Sequence, residues 1–486
     1  MAKYLLGLDC GHTVTKAVLF DLAGKQIAVG KGSNDQISLH SGWQERTMEA
    51  AAQAALTAIK EAIVGIDANE IAAIGVAGHG DGLYLVDKDL KPIRNAIFAT
   101  DNRASELVQK INQENHDFLM QEMNQVLFAA SPASLLVWLK EQEPENYKKI
   151  GYILQCKDWI RTVLTGNPGT DLSDAASIGV SAGLDSFSLP IIEKLGLSDV
   201  FSALPKIALS GAVVGEITEE ISKQTGLAPK TQVIAGSHDV HATAIGTGAY
   251  AFGDVSLIFG TWSINQTFAK EKHPDFRWQV RNSVEANHFL HMCTSPASAS
   301  NANWFWNLFG ISDEQDLANT LEEAEKSFLK TDRAFYLPYL FGGPAYQTPG
   351  ASLIGARGWH TKADVVATVL EGIVFNHKHH MDMLSEKVST SGRIIASGGS
   401  MRSQVWGQLV ADIFDREIEI SDADEAGARG IAMLAGVSQK IYTSIDDAIS
   451  KCVSNSKIFR PNPDKTEFFK NRYVKYRELA RSATHV

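Results

Sequence analysis

The sequence predicts an α/β protein of two domains, and three observations carry that reading. Short apolar strands alternate with helical stretches along most of the chain. The 486 residues exceed what one hydrophobic core comfortably holds, so two domains are the natural expectation. A strand, a Gly/Thr turn and a second strand stand at the N-terminus and recur near the middle, over residues 254–268. That recurrence reads either as an internal duplication or as two unrelated hairpins.

The elements follow in order. Residues 4–9 form an apolar strand, residues 10–13 a turn, residues 16–21 a strand, Leu22 to Lys25 a turn, and residues 26–29 a third strand. An Ala-rich helix covers 48–63, and a buried strand covers 71–76. A strand at 150–154 precedes a helix at 157–164, closed by Thr165-Gly166. In the second half, strand 254–259, turn Gly260-Thr261-Trp262 and strand 263–268 lead to a long helix over 362–385. Strand 393–396, Gly398-Gly399 and helix 402–414 come next, then strand 417–421, helix 426–437 and a terminal helix beyond residue 459. No low-complexity linker interrupts the chain. The two domains, 1–245 and 246–486, are expected to join through a helix or short hinge near 243–253.

Composition narrows the function classes. Hydrophobic residues make up 44% and charged residues 21%, ordinary for a soluble globular protein. A net charge of −11 argues against nucleic acid or an anionic membrane surface as the main partner, since both need basic patches. Local donors and a metal ion can still hold a nucleotide. Cys10, Cys156, Cys293 and Cys452 lie far apart, without metal-ligand spacing, which suits a reducing compartment such as the cytoplasm. The N-terminal segment lacks the long apolar core of a signal peptide, and no stretch is long enough to cross a bilayer.

Four segments carry candidate chemistry. In Asp9-Cys10-Gly11-His12-Thr13-Val14-Thr15-Lys16, a carboxylate ends a buried strand before a tight turn. Its backbone N–H groups, hydroxyls and Lys16 can cradle phosphate, and Asp9 can hold a hydrated Mg²⁺. A plain β-turn is the bland alternative. Gly260-Thr261 repeats the logic in the second half, and neither place holds a Walker A loop. At Gly236-Ser237-His238-Asp239, an apolar run delivers an acid to a strand-to-helix junction. Phosphoryl transfer to an alcohol needs positioning, charge neutralisation and a base, and Asp239 is placed to be that base. It can also cap the helix it begins. Gly398-Gly399-Ser400-Met401-Arg402 runs from strand to helix, as suits a ring or phosphate lying on backbone; a tight helix–sheet contact is the alternative. His377 and His380 share a helix face, and a solvated face is the expectation over a metal site. His238 and His241 read as packing or support, and Trp304 to Trp306 as core or interface filler.

In this order, these residues resemble the FGGY family of carbohydrate kinases, within the actin-like ATPase superfamily. The resemblance covers nearly the whole chain. It includes Gly42-Trp43-Gln44-Glu45, Asp101-x-Arg103, Lys157-Asp158-Trp159 and Asp171-x-Ser173, besides Asp239, Gly260-Thr261, Gly398-Gly399-Ser400 and Glu425 to Gly430. It implies two ribonuclease H-like domains around a central cleft, with ATP and Mg²⁺ as cofactors. It implies that Asp9 and Asp239 face the metal and that Thr13, Gly260 and Thr261 contact phosphate. Asp239 matches the family's catalytic base. Gly398, Gly399 and Arg402 fall where the family lines its adenine pocket, and Trp43 and Glu45 near its sugar pocket.

The segment Gly78-His79-Gly80-Asp81-Gly82 carries His79 where many members have Gln, and Asp81 near a frequent polar sugar contact. Ala99 replaces a family Trp, which implies a roomier pocket than glycerol needs. Stretches such as Asn95-Ala96-Ile97 and Ser295-Pro296-Ala297-Ser298 look most similar to the L-xylulose kinase branch. The resemblance therefore implies an ATP-dependent kinase for a small sugar, a ketopentose foremost, acting as a homodimer. Other substrates of the family (D-xylulose, ribulose, gluconate, erythritol, glycerol) stay open. So does an actin- or chaperone-like ATPase switch, which shares the hairpins.

Overall fold

A computed structural model describes residues 2–33, 36–38, 40, 42–181, 186–343, 350–454 and 457–483. Two seven-stranded sheets organise it. The first contains β1 (Tyr4–Cys10), β2 (Val14–Asp21), β3 (Gln26–Ser33), β4 (Ile71–Gly78), β5 (Val213–Glu216) and β6 (Gln232–Ile234), in spatial order β5-β6-β4-β1-β2-β3. The short strand Ser237–His238 extends it beside the end of β4. The second contains β7 (Val255–Phe259), β8 (Ser263–Ala269), β9 (Gln279–Asn282), β10 (Phe289–Ser295), β11 (Ile394–Ser397), β12 (Ile418–Ile420) and β13 (Lys457–Phe459), in order β9-β10-β8-β7-β11-β12-β13.

The two sheets share one plan. In each, an antiparallel meander leads with its first strand, which then pairs in parallel with a strand from beyond a helix. A second parallel strand follows outside that one. The paired Gly/Thr turns thus sit at equivalent places, and duplication rather than two unrelated hairpins describes them. Between β4 and β6 a mostly helical region builds its own core from Leu83, Leu119, Leu135, Ile153 and Ile191. Its helix Ser105–Glu122 buries only Val108 and Leu119, so the sequence offers no apolar stripe there.

Helices form where caps and apolar faces coincide. Helix α1 (Met48–Ala62) starts at Thr47, whose hydroxyl accepts from the Ala50 N–H at 3.1 Å, and it packs its small residues on β2 and β3. Helix α2 (Cys156–Thr165) has a Gln155/Asp158 capping box and ends at left-handed Gly166. Helix α3 (Asp239–Thr247) leaves the first sheet, and α4 (Lys362–Ser385) runs through the core of the second half. The helix expected over 402–414 divides: a 3₁₀ turn, Gly399–Arg402, precedes a helix over Gln404–Phe414, because Ser403 between them is extended. No helix among the described residues is long and apolar enough to cross a membrane.

Helix α5 (Ala426–Ser438) comes from the second half yet packs on α3, β1 and β4 of the first. Side-chain-free contacts allow it. A Cβ on Gly246 would strike the Ala426 carbonyl, and one on Gly430 the Ala242 carbonyl. We expect Gly430→Ala to force the two helices apart and destabilise the protein by about 3 kcal/mol. The check is a thermal unfolding scan; an unchanged midpoint would show that the crossing tolerates a methyl group.

Candidate active site

Strand alternation decides what the first turn presents. Leu6, Leu8 and Cys10 belong to the core that α1 covers, whereas Asp9 points to the opposite face, toward α5. In register Asp9 lies across from Lys16. A Cβ on Gly427 would lie 2.5 Å from Asp9 Oδ2, so glycine there lets the start of α5 reach the carboxylate. Lys16 Nζ donates to both oxygens of Glu425, at 2.8 and 2.7 Å. Burial first, and Glu425 second, push the Asp9 carboxyl up to about 6. Thr13 is exposed at the tip of the turn and Val14 is half-buried. Thr15 departs from its expected place among the phosphate contacts. It is 1% exposed and lies on the face that Ala17 and Leu19 turn toward α1, away from Asp9 and Lys16.

Asp239 opens α3, with 31% of its side chain accessible. Its backbone is pinned from behind. The His238 N–H donates to Ser173 Oγ at 2.9 Å, and Ser173 Oγ donates to Asp171 at 2.7 Å. Asp171 pairs with the fully buried Lys157 at 2.8 Å. His238 Nε2 stands 3.2 Å from Asp239 Oδ1. Burial first, then the charge of Asp9, raise the Asp239 carboxyl well above the ordinary carboxylate range. The two sequence-predicted carboxylates are therefore close enough to repel each other.

The second turn, 260–262, is tied to the helix Ala299–Leu308. The Ala299 N–H donates to the Gly260 carbonyl at 3.0 Å, and Ser300 Oγ donates to the Thr261 carbonyl at 2.8 Å. Gly398 has φ +108°, and a Cβ on it would strike the Phe259 carbonyl, so the Gly398-Gly399 turn lies against the end of β7. Ser400 is half-buried in that turn, while Arg402, 75% exposed, donates to Asp424 at 2.8 Å. Asp424 adjoins Glu425, the partner of Lys16. Residues 424–427 thus connect the Gly398–Arg402 turn with the Asp9 turn.

The histidines of α4 overturn the expectation of a solvated face. His377 and His380 are buried because the helix runs through the core. His377 Nδ1 lies 2.9 Å from Asn265 Oδ1 and donates to it; its Nε2 accepts from Ser298 Oγ at 3.1 Å. Asn265 Nδ2 donates to His380 Nδ1 at 2.8 Å. The network braces β8 just behind the second turn. Trp304 is exposed, while Phe305 and Trp306 are buried in the core as expected.

On the acceptor side, much of the expected machinery is engaged with itself. Glu45 is buried and held by Arg94, by Arg103 Nη2 at 2.7 Å and by Asn95 at 3.2 Å. Arg103 lies 4.3 Å over the Trp43 ring and also donates to Asp101 at 2.8 Å. The Trp43–Glu45 and Asp101–Arg103 segments are thereby zipped together. His79 is buried, stacked on His12 with centroids 4.3 Å apart and 3.2 Å from the Tyr84 hydroxyl. Gly80 lies flat against His238: a Cβ there would fall 2.6 Å from His238 Nε2. The Asp81 carboxylate accepts twice from Arg281 Nη2, at 3.0 and 2.9 Å. Sequence reasoning missed Arg281. It stands in strand β9 with no motif around it, and only its contact with Asp81, 200 residues away, marks it.

Comparison with known proteins settles the class. Models of the FGGY family of carbohydrate kinases match residues 4–246 with the N-terminal domain and residues 255–439 with the C-terminal domain. The chain belongs to the FGGY family of carbohydrate kinases. It is 30% identical over 488 residues to L-xylulose/3-keto-L-gulonate kinase of Escherichia coli, covering 99% of this chain and 97% of that one. Crystal structures of a ligand-bound xylulose kinase and of a gluconate kinase, both from Lactobacillus acidophilus, share its fold. Each has a TM-score of 0.91 at 24% identity; the first alignment covers 99% of this chain and 98% of that one, the second 100% and 99%. This FGGY kinase is accordingly an ATP-dependent phosphotransferase with an alcohol group as acceptor, and its substrates are ATP and a sugar.

The histidine network of the kinase contributes to its acid stability. Burial holds the His380 imidazole down to about 3, and burial with the neighbouring His380 holds His377 well below the ordinary value. An unfolded histidine protonates near 6.5. Below that pH the unfolded chain binds protons that the folded one refuses. The contribution of each such histidine is complete above pH 6.5 and is lost as pH drops from there toward 3, by about 1.4 kcal/mol per pH unit. Urea titrations between pH 7 and pH 4.5 should show the midpoint falling, with a shallower slope in His380→Gln. Equal slopes would refute a neutral His380.

Proposed function

We propose that this kinase transfers the γ-phosphoryl group of ATP to a hydroxyl of a ketopentose of the xylulose type, with Asp239 as the general base. The observation that carries the reading is the Asp9–Asp239 pair: two neighbouring carboxylates, one of them opening to solvent at a helix start, in a chain flanked by two equivalent Gly/Thr turns. Full-length 30% identity to a kinase named for L-xylulose and 3-keto-L-gulonate supports the acceptor class. Four free, buried cysteines fit action in the cytoplasm.

The donor set suits a magnesium ion. Asp9 and Asp239 are hard oxygen ligands, the charge of Asp9 helps to raise Asp239, and Lys16 spends its ammonium on Glu425 instead. Mg²⁺ takes few protein ligands and keeps several waters, so these two carboxylates would hold it. When bound, it offsets the negative charge of the triphosphate. Asp239 takes the proton of the acceptor hydroxyl as that oxygen bonds to the γ-phosphorus and the bond to the β-phosphate oxygen breaks, releasing ADP. Ser173 and Lys157, acting through the backbone of His238, keep the carboxylate aimed. Thr13, Gly260 and Thr261 offer N–H and hydroxyl groups to the phosphates, while Gly398, Gly399 and Arg402 border the nucleoside.

A coupled ADP-release assay across ketopentoses, aldopentoses, tetritols, glycerol and aldonates tests the acceptor class. Highest turnover is expected on a ketopentose, and ADP release without any sugar would instead favour an ATPase switch. Asp239→Asn should lower kcat by about 10²–10⁴-fold, with sugar affinity by calorimetry within a few fold of the parent. Retained turnover would remove Asp239 from the role of base.

A further inference from the structure

Arg281 is fully buried, yet only part of its hydrogen-bonding capacity is used. Nη2 makes both bonds to Asp81, while Nε and Nη1 have no partner among the described residues. Buried donors left without acceptors are costly, and their retention at one spot calls for a reason. The spot is distinctive. Asp81 is held in a left-handed conformation, φ +61°, with its N–H donating to Gln155 Oε1 at 2.8 Å. The next residue back, Gly80, packs on His238, whose Nε2 faces the Asp239 carboxylate. Arg281, Asp81, Gly80, His238 and Asp239 therefore form one contiguous corner, to which the second half of the chain contributes only Arg281, from β9.

We propose that Arg281 is a specificity-determining residue of the sugar pocket, its free N–H groups reading an acceptor-only oxygen of the substrate while Asp81 fixes the guanidinium in place. This rests on the sugar-kinase reading of the Asp239 site and sharpens it. A guanidinium only donates. A carbonyl oxygen of a keto sugar or a carboxylate of a sugar acid only accepts, and so matches it without competition. A polyol hydroxyl brings a proton that the corner must place elsewhere. A site built around a buried donor discriminates strongly against a substrate that leaves the donor unpaired.

The test compares kcat/KM of the parent and of Arg281→Met on three acceptors of equal chain length: a ketopentose, the corresponding pentonate and the corresponding pentitol. The parent should prefer the ketose or the acid, and which of the two it prefers tells carbonyl from carboxylate. Arg281→Met should lose about 10–100-fold on the preferred acceptor, lose little on the pentitol, and keep its KM for ATP within twofold. Arg281→Lys should recover part of the loss. Equal loss on all three acceptors, or a shifted KM for ATP, would reduce Arg281 to a structural tie between the halves. An unchanged preference would overturn the proposal outright. Should Arg281→Met not fold, Arg281→Lys alone decides, by whether the preference narrows. If the parent releases ADP with no sugar at all, it is the kinase reading of the site that fails, and that outcome is visible before any variant is made.

Discussion

The active-site arrangement depends on how closely α5 can approach its neighbours. Backbone meets backbone at four glycines: Gly246 and Gly430 where α5 crosses α3, and Gly7 and Gly75 where α5 lies on β1 and β4. At each, a methyl group would strike a carbonyl oxygen of the facing element. This packing fixes where the N-terminus of α5 arrives, and it arrives at the Asp9 face of β1. Gly427 then touches Asp9, and Glu425 takes Lys16. The same crossing carries α3, whose first residue is Asp239. Two carboxylates from distant parts of the sequence are brought together by a steric fit that contains no charge.

Holding like charges close is unfavourable, and the surroundings show how the cost is contained. Behind Asp239, the buried Lys157 pairs with Asp158, Asp171 and Asp174 at 2.5, 2.8 and 3.0 Å. Three carboxylates around one ammonium leave excess negative charge, and Asp174 is pushed well above its ordinary range, by burial first. A protonated Asp174 removes part of that excess. Asp171, by contrast, is held down by Lys157 and by hydroxyl donors against the pull of burial, and it is the one that anchors Ser173. Removing one partner from such a cluster leaves an uncompensated charge, so the network resists rearrangement more than it adds net stability. Rigidity at Asp239 is the useful product.

What the sequence disclosed was local. Strand alternation, the Gly/Thr turns and the acid at the start of α3 each lie within a dozen residues, and each could be read directly. The strands of the first meander, β7 and β8 of the second, and the limits of α4 lie close to their expected places for that reason, whereas β9 and β10 are absent from the sequence reading. Thr15 shares the motif of Asp9 and Lys16 but not their face, because the strand period sends alternate side chains to opposite faces. Glu45 and Asp81 lie in the segments expected near the sugar, but their carboxylates are occupied by arginines. A solvated face is the expectation for His377 because the helix offers no third ligand for a metal. Its partners, Asn265 and Ser298, are 112 and 79 residues away, and nothing in the helix announces them. Long-range pairing is the information that a single sequence hides.

Among the described residues two ion pairs join the halves of the chain, and they differ in burial. Lys16–Glu425 is partly exposed, with 33% and 15% of the side chains accessible, and water can replace each partner as it opens. Asp81–Arg281 is almost wholly buried, and separating it in a dry environment would strand a charge on each side. Separation at the Asp81–Arg281 corner would therefore be coupled to hydration of that pair, whereas the Lys16–Glu425 side would part more freely. A substrate oxygen on the free N–H groups of Arg281 would add to the closed state and not to the open one. Since a ligand shifts an equilibrium only through its differential affinity for the two states, an acceptor held there would favour the closed state. An acceptor-driven closure also has a chemical use: water is excluded from the phosphoryl group only when an alcohol is there to receive it.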